Sequence, residues 1–248
     1  MKILLTNDDG IYAEGLCALY RALSPEHEVV IVAPEAERSA VGHAITLSDP
    51  LRVRVIRQGR EFWGYAVKGT PTDCVKLAFY ELVGPVDLVV SGINRGANVG
   101  INVLYSGTVS AATEAAILGM PALAVSLAAY TQEDYCFAAY FTSTLVENLP
   151  LSTPFCLNVN IPHLPAHLIK GVKITRQGTR KLQERFEKRL DPHGNVYYWQ
   201  CGERFLEDDP DTDVVALEAG YISITPLTHD LTDYKLLPFL KNFQFFSS

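Results

Sequence analysis

Two adjacent aspartates, Asp8 and Asp9, end the first apolar run of the chain, which covers residues 3–5. A parallel α/β sheet carries its chemistry just beyond the carboxyl ends of its strands. Neighbouring carboxylates repel each other unless a proton or a cation lies between them. The pair therefore predicts a divalent-cation site. The alternative is an Asx turn in which one aspartate caps the next helix.

A second polar segment, residues 91–98, follows another apolar run and contains Asn94 and Asn98. Amide oxygens can bind a hard cation, and amide nitrogens can donate to an oxyanion. Both asparagines are therefore candidate ligands of a cation or of an anionic group. The alternative is a loop rich in glycine and asparagine whose residues only meet the needs of the backbone.

A third segment, residues 105–112, predicts a loop that enters a helix rich in small residues. A helix start presents free amide groups and the positive end of the helix dipole, and these form an anion site. Ser106 and Thr108 add hydroxyl groups on either side of Gly107. Capping of the helix by Ser106 or Thr108 is the simpler interpretation, and the two roles are compatible.

Ser39 and His43 lie in the loop that follows the second strand-like run. Ser39 gains a function only if this loop folds over the two aspartates. His43 has the chemistry of a general acid or base, although a lone loop histidine is more often an ordinary polar side chain. Asp73 stands in the first turn of a predicted helix, and capping is sufficient explanation for it.

These candidate residues can form one site only in a fold that brings the ends of several strands together. The chain alternates apolar runs with helix-like segments, which is the pattern of such a fold. The predicted strands cover residues 2–6, 29–33, 87–91, 122–126, 156–161 and 221–225, and the predicted helices cover 15–23, 71–82, 108–118 and 133–148. Several of the strands lack polar alternation, as expected for strands buried on both faces. The order predicts an α/β fold with a mostly parallel sheet flanked by helices. Residues 51–67 interrupt this order and predict a hairpin.

The character of the sequence changes after about residue 171, where basic, acidic and turn-rich stretches follow one another. We predict one domain over residues 1–248, with a core of about 1–170 and a C-terminal arm of about 171–248. The terminus, residues 236–246, is strongly apolar, whereas free chain ends are normally polar. It could dock on its own subunit. The long polar arm favours exchange with a second copy, and hence a homodimer or a dimer of dimers.

Composition sets further limits on function. The 248 residues carry a formal net charge of −7, which argues against nonspecific binding of duplex nucleic acid or of anionic membrane. Five widely spaced cysteines without a CxxC pair favour a reduced, cytoplasmic protein. No dinucleotide-binding GxGxxG motif, P-loop, HExxH motif or GxSxG elbow occurs.

Taken together and in this order, the segments resemble the SurE family of stationary-phase survival proteins, which are metal-dependent nucleotidases. The resemblance covers nearly the whole chain. One departure is Ala40, where many relatives have glycine. The matching residues are 7–10, 38–39, 69–74, 91–94, 96, 98, 105–109, 158–162, 178–180, 211–213 and 220–227.

The resemblance implies a Rossmann-like core that holds one divalent cation per subunit through Asp8, Asp9, Ser39 and Asn94. Such hard donors favour Mg²⁺ or Mn²⁺ over zinc. It also implies hydrolysis of nucleoside monophosphates in the cytoplasm by an oligomer that exchanges C-terminal segments. We assign Asp8 as the catalytic residue, either as nucleophile or as the base that orients water. The predicted substrate-binding residues are Asn98, Ser106, Gly107 and Thr108. The alternative function is a nucleotide- or phosphate-binding regulator without turnover.

Overall fold

A mixed sheet of nine strands and a separate two-stranded hairpin form the framework of the computed structural model, which describes residues 1–129, 134–179, 182–205 and 208–243. The strands are β1 (Lys2–Thr6), β2 (Glu28–Pro34), β3 (Val53–Gln58), β4 (Glu61–Val67), β5 (Leu88–Arg95), β6 (Ala122–Ala128), β7 (Cys156–Pro162), β8 (Val172–Ile174), β9 (Leu182–Leu190), β10 (Val196–Phe205) and β11 (Ile222–Leu227). The α-helices are α1 (Glu14–Leu23), α2 (Pro71–Leu77), α3 (Gly107–Ile117), α4 (Cys136–Asn148), α5 (Asp213–Glu218) and α6 (Leu237–Lys241).

The strand order in the large sheet is β3-β4-β2-β1-β5-β6-β7-β11-β8. The six strands from β4 to β7 are parallel, while β3 and β11 pair antiparallel with β4 and β7. This confirms the predicted α/β fold and the hairpin predicted within residues 51–67. The helix predicted over 71–82 is α2 followed by a π-helical turn, Ala78–Leu82.

Helices cover both faces of the sheet because the side chains of a strand alternate between its faces. Ile3 and Leu5 of β1 pack into the cluster that also contains the apolar sides of α1 and α4. Leu4 packs into the opposite cluster, which contains the apolar sides of α2 and α3. The central strands are therefore buried on both faces, which explains their unbroken apolar runs.

The sheet reverses its winding at β1, since the chain moves from β1 to β2 on one side and returns to β5 on the other. Ligands of open α/β sheets bind in the crevice at such a switch point. Strand β5 is irregular there: its register against β6 shifts between Ser91 and Asn94. Gly92, with φ of 138°, permits this, because a Cβ at Gly92 would lie 2.3 Å from the carbonyl oxygen of Val125. The bulge determines where Asn94 points.

Within the range 171–248 predicted as an arm, β9 and β10 form a separate antiparallel hairpin, whereas β8 and β11 belong to the large sheet. Residues 130–133, 180–181, 206–207 and 244–248 lie outside the described residues, and they include parts of the predicted helix 133–148, of the matching segment 178–180 and of the apolar terminus 236–246. Within the described part of the chain, no helix is long and apolar enough to cross a membrane. The five cysteines are free thiols.

Candidate active site

A cavity of about 780 Å³ opens at the switch point, above the carboxyl ends of β1 and β5. This volume lies within the range of about 300–1,000 Å³ that is usual for small-molecule sites. Residues from four parts of the chain line it. They are Asp8, Asp9, Glu37, Ser39, Ala40, Asn94, Arg95, Gly96, Ala97, Asn98, Asn102, Tyr105, Ser106, Phe186 and Gln200.

The side chain that forms the turn at the end of β1 is that of Asn7, so the carboxylates of Asp8 and Asp9 are not used in this turn. The side chain of Asn7 donates to the carbonyl oxygen of Gly10 and accepts from its amide, at 3.0 and 3.1 Å. Helix α1 begins without a side-chain cap. The alternative in which an aspartate caps α1 is therefore wrong, and both carboxylates remain at the strand end.

Asp8 is 6% exposed and contacts the start of α3. Thr108 donates its hydroxyl hydrogen to Asp8 Oδ1 at 2.5 Å. Gly107 makes this approach possible, because a Cβ there would lie 2.8 Å from Asp8 Cβ. Burial raises the pKa of Asp8 above its usual value, while the hydrogen bond from Thr108 opposes that rise. The carboxylate is thus held firmly in a place where its charge is poorly solvated.

Asp9 is less buried than Asp8, and the charge of Arg95 only partly offsets the negative charges around it. Burial, followed by the negative charge of Asp8, raises the pKa of Asp9 to about 6. The backbone amide of Arg95 offers a long hydrogen bond to Asp9 Oδ2, at 3.4 Å. Glu37 lines the same cavity and adds a further negative charge. A cluster of this kind becomes stable in its ionised form when a cation joins it.

Asn94 and Ser39 provide neutral oxygen atoms beside the two aspartates. Asn94 uses its Nδ2 to donate to the carbonyl oxygen of Gly96 at 2.8 Å, so its Oδ1 remains as an acceptor or ligand. The Ser39 hydroxyl donates to Glu37 Oε1 at 2.6 Å, which keeps the lone pairs of that hydroxyl for another partner. Two carboxylates, an amide oxygen and a hydroxyl oxygen match the ligands that Mg²⁺ or Mn²⁺ prefers.

The residues present therefore fit a hard divalent cation in their chemistry. Over the described ranges, no group of three or more His, Cys, Asp or Glu side chains is placed to hold a metal. A site of soft or nitrogen donors is accordingly not indicated there, and the two-carboxylate set is the candidate.

The loop that carries Ser39 is folded over the aspartates, as the metal hypothesis requires. The backbone amide of Arg38 donates to the carbonyl oxygen of Asp8 at 2.7 Å. Further along the loop, His43 hydrogen-bonds Glu114 of α3 at 2.8 Å. Ala40 has φ of 54°, in the left-handed region that favours glycine. The departure from glycine at position 40 thus falls where the backbone would accept glycine more easily.

His43 is not among the described residues that line the cavity, and its partner Glu114 also accepts from Lys76 at 2.9 Å. Asp73 caps α2 through a capping box with Thr70 and accepts from Thr46 of the same loop. The structural interpretation of Asp73 is confirmed. Both groups hold the loop in place from outside the cavity.

Two of the four predicted substrate-binding residues, Asn98 and Ser106, line the cavity, while Gly107 and Thr108 lie behind them against Asp8. Ser106 caps α3 by accepting from the amide of Val109 at 3.1 Å. The Nδ2 of Asn98 donates to Ser126 at 2.9 Å. Ser106 and Asn98 are therefore fixed in position before any ligand arrives.

A buried network at the ends of β6 and β7 supports Asn98. Its backbone amide donates to Asn160 Oδ1 at 2.8 Å, and its carbonyl oxygen accepts from Asn158 and Asn160. Both of these asparagines are fully buried. Such a network fixes loop geometry, because each of its members would be costly to leave unsatisfied.

Sequence reasoning assigned no site role to nine other lining residues. Seven of them lie within a few positions of predicted residues: Glu37, Ala40, Arg95, Gly96, Ala97, Asn102 and Tyr105. The remaining two, Phe186 and Gln200, belong to the hairpin arm and follow no motif. No local signal in the sequence identifies them.

Proteins that are similar to this chain in sequence and in structure come from one family. The family model described as "Survival protein SurE" matches residues 3–184. The chain is 54% identical to the 5′-nucleotidase SurE of Syntrophobacter fumaroxidans over 96% of this chain and 97% of that one. It is 56% identical to the 5′-nucleotidase SurE of Syntrophus aciditrophicus, over 97% and 93%. The crystal structure of the SurE protein from Aquifex aeolicus matches with a TM-score of 0.84 at 41% identity, over 97% of this chain and 98% of that one.

Proposed function

Because this chain belongs to the SurE family and is a 5′-nucleotidase, we propose that it hydrolyses nucleoside monophosphates to nucleoside and phosphate with one divalent cation. One observation carries the proposal. Asp8, Asp9, Ser39 and Asn94, which come from three separate segments of the chain, line a single cavity next to the start of α3. The free thiols support a reducing, cytoplasmic setting.

Asp8, Asp9, Ser39 and Asn94 would hold the cation, with Mg²⁺ or Mn²⁺ as the candidates. When bound, the cation supplies positive charge that offsets the charge of a phosphoryl group. The chain itself is acidic at this point, since Glu37 adds to the two aspartates. An anionic substrate would be repelled without that compensation.

Asp8 is the proposed catalytic carboxylate, as nucleophile or as the group that orients the attacking water. Thr108 and the tight packing of Gly107 hold its carboxylate in one orientation. Such fixed orientation is a large part of what an active site contributes to a rate. Burial keeps Asp8 away from bulk water, which strengthens its interactions with any charged group that enters.

Asn98 and Ser106, together with the first amides of α3, are the proposed phosphate-binding groups. Ser106 and Asn98 line the same cavity as the four candidate metal ligands. The positive end of the α3 dipole faces the same region. Donors fixed in advance stabilise the charge that develops on phosphoryl oxygens during transfer.

The direct test is phosphate release from a panel of nucleoside monophosphates after removal of metal by a chelator. We expect turnover to return on addition of Mn²⁺ or Mg²⁺, and to be absent without it. Specific binding of nucleotide without phosphate release, at every metal tested, would instead identify a regulator. Full activity in the chelated protein would contradict the metal requirement.

Asp9→Asn should stabilise the metal-free protein by about 1 kcal/mol at pH 7, after allowance for solvent screening. Burial raises the pKa of Asp9 to about 6 in the folded state, against an ordinary value of 3.8. The parent protein therefore loses stability as the pH rises from about 4 to about 6, and the variant is spared that loss. Urea unfolding in chelator at pH 4 and pH 7 measures the difference.

The control for Asp9→Asn is Asp49→Asn, which removes an exposed carboxylate outside the cavity. Its stability relative to the parent should stay constant between the two pH values. Equal stabilities of the parent and Asp9→Asn at pH 7 would show that Asp9 is not under electrostatic strain.

We also propose that the protein is a homodimer or a dimer of dimers in which the C-terminal segment packs on a neighbouring copy. Leu231, Phe239 and Phe243 of that segment are 85%, 62% and 52% exposed in the isolated chain. Apolar side chains of this size, grouped at a chain end, favour burial against a partner. Exchange of such segments is a low-cost route to symmetric assembly.

Truncation after Leu227 should convert the oligomer to monomer or to unstable, aggregating protein. It leaves every strand of the large sheet complete while removing the exposed apolar segment. Sedimentation at micromolar concentration distinguishes the species. A full-length protein that sediments as a compact monomer would refute the exchange.

A further inference from the structure

The hairpin arm contributes two side chains to the active-site cavity. Phe186 of β9 and Gln200 of β10 line it together with Asp8 and Asp9. The two are direct cross-strand partners in the antiparallel pair. Partners of this kind project from the same face of a hairpin. One face of the arm is thus turned toward the site, about 180 residues along the chain from the carboxylates.

Two aromatic rings stand exposed in this cavity. Phe186 is 60% exposed and Tyr105 is 54% exposed. Tyr105 is fixed at the end of a 3₁₀ turn, where its carbonyl oxygen accepts from the amide of Gly42 at 2.9 Å. The faces of exposed aromatic rings donate no hydrogen bond to phosphoryl oxygens. They offer flat apolar surface to whatever else the ligand carries.

The size of the cavity also indicates a ligand larger than a phosphoryl group and a cation. A phosphoryl group and a cation need only the part around Asp8, Asn94 and Ser106, whereas the cavity of about 780 Å³ extends to the hairpin arm. A nucleoside attached to the phosphate would reach in that direction. Its base is a flat π-system, and such rings stack on aromatic side chains with little regard to sequence.

We propose that Phe186 and Tyr105 form a stacking platform for the nucleobase of the substrate, and that Gln200 contacts the edge of that base. The inference rests on the proposed nucleotidase function. A side-chain amide carries both a donor and an acceptor, so Gln200 suits more than one base. Stacking grows with ring area, so purine nucleoside monophosphates are the favoured class.

The test compares adenosine monophosphate with ribose 5-phosphate, which carries the same phosphate ester without a base. Phe186→Leu keeps an apolar side chain but removes the ring. It should lower kcat/KM for adenosine monophosphate about tenfold relative to kcat/KM for ribose 5-phosphate. Phe186→Trp should restore the parent ratio. Adenosine should inhibit ribose 5-phosphate hydrolysis, and its inhibition constant should rise about tenfold in Phe186→Leu.

Trp199→Leu is the matched control. Trp199 is 58% exposed on the same hairpin, but it pairs with Glu187 and so projects from the opposite face. Its substitution should leave the ratio of the two substrates unchanged. A ratio within about twofold of the parent in Phe186→Leu, while the parent releases phosphate, would overturn the platform alone. Absence of phosphate release from both substrates by the parent protein would overturn the nucleotidase proposal and the platform with it.

Discussion

An Asp8→Asn variant should fold normally and lose at least about a thousandfold in metal-dependent turnover. The substitution keeps an oxygen that can accept from Thr108, so the packing against α3 is retained. It removes the charge that the proposed cation and the chemical step both require. Phosphate release at saturating Mn²⁺ measures the loss, and circular dichroism confirms the fold.

Asp49→Asn is again the control, because it removes one carboxylate of the same type outside the cavity. It should retain parent activity. Turnover of Asp8→Asn equal to that of the parent at saturating Mn²⁺ would refute the metal site and the catalytic assignment together. Rapid quench of the parent with labelled substrate distinguishes the two roles of Asp8, since direct attack leaves label on the protein as an aspartyl phosphate.

Asp213→Ala should lower the free energy of unfolding by about 3 kcal/mol or more. Asp213 is fully buried, and its carboxylate accepts from the backbone amides of Gly100, Gly178 and Val214 at 2.8–3.0 Å. Removal of the carboxylate leaves three buried amides without an acceptor. The bond to Gly100 ties α5 to the 3₁₀ turn that precedes Tyr105, so weaker substrate binding should accompany the loss of stability.

Urea unfolding of metal-free protein measures this change. Asp211→Ala is the matched control, because Asp211 lies two residues away and pairs with Arg176 on the surface. A surface ion pair is worth about 0–1 kcal/mol, so the control should lose no more than that. Equal losses in the two variants would show that the buried carboxylate does not hold the turn.

Candidate site residues could be predicted from the sequence where an apolar run ends abruptly in polar side chains. The run that becomes β1 is apolar on both faces, and its sudden replacement by Asp8 and Asp9 marks the end of a buried strand. Asn94 follows from the same argument after the run 87–91, whereas Ser106 follows from the start of the helix predicted over 108–118. Family resemblance, now supported over nearly the whole chain, joined these segments into one metal-site hypothesis.

The bulge at Gly92 could not be predicted from the sequence. A glycine indicates an unusual backbone conformation, but which conformation is needed follows only from the close approach of Gly92 to Val125 of the neighbouring strand. The contact between Thr108 and Asp8 joins residues 100 positions apart. Sequence analysis assigned Thr108 to phosphate binding, whereas its hydroxyl donates to the carboxylate behind the cavity wall.

The sequence by itself determined the alternation of strands and helices, the two-sided burial of the sheet and the side chains that stand at its strand ends. These depend on local periodicity and on residue chemistry, which any window of the chain contains. The tertiary structure alone decided the strand order with its reversal at β1, the distance of Thr108 from Asp8, and the placement of Phe186 in the cavity. Those features depend on which distant segments pack together, and a local sequence pattern contains no information about the free energy of that packing.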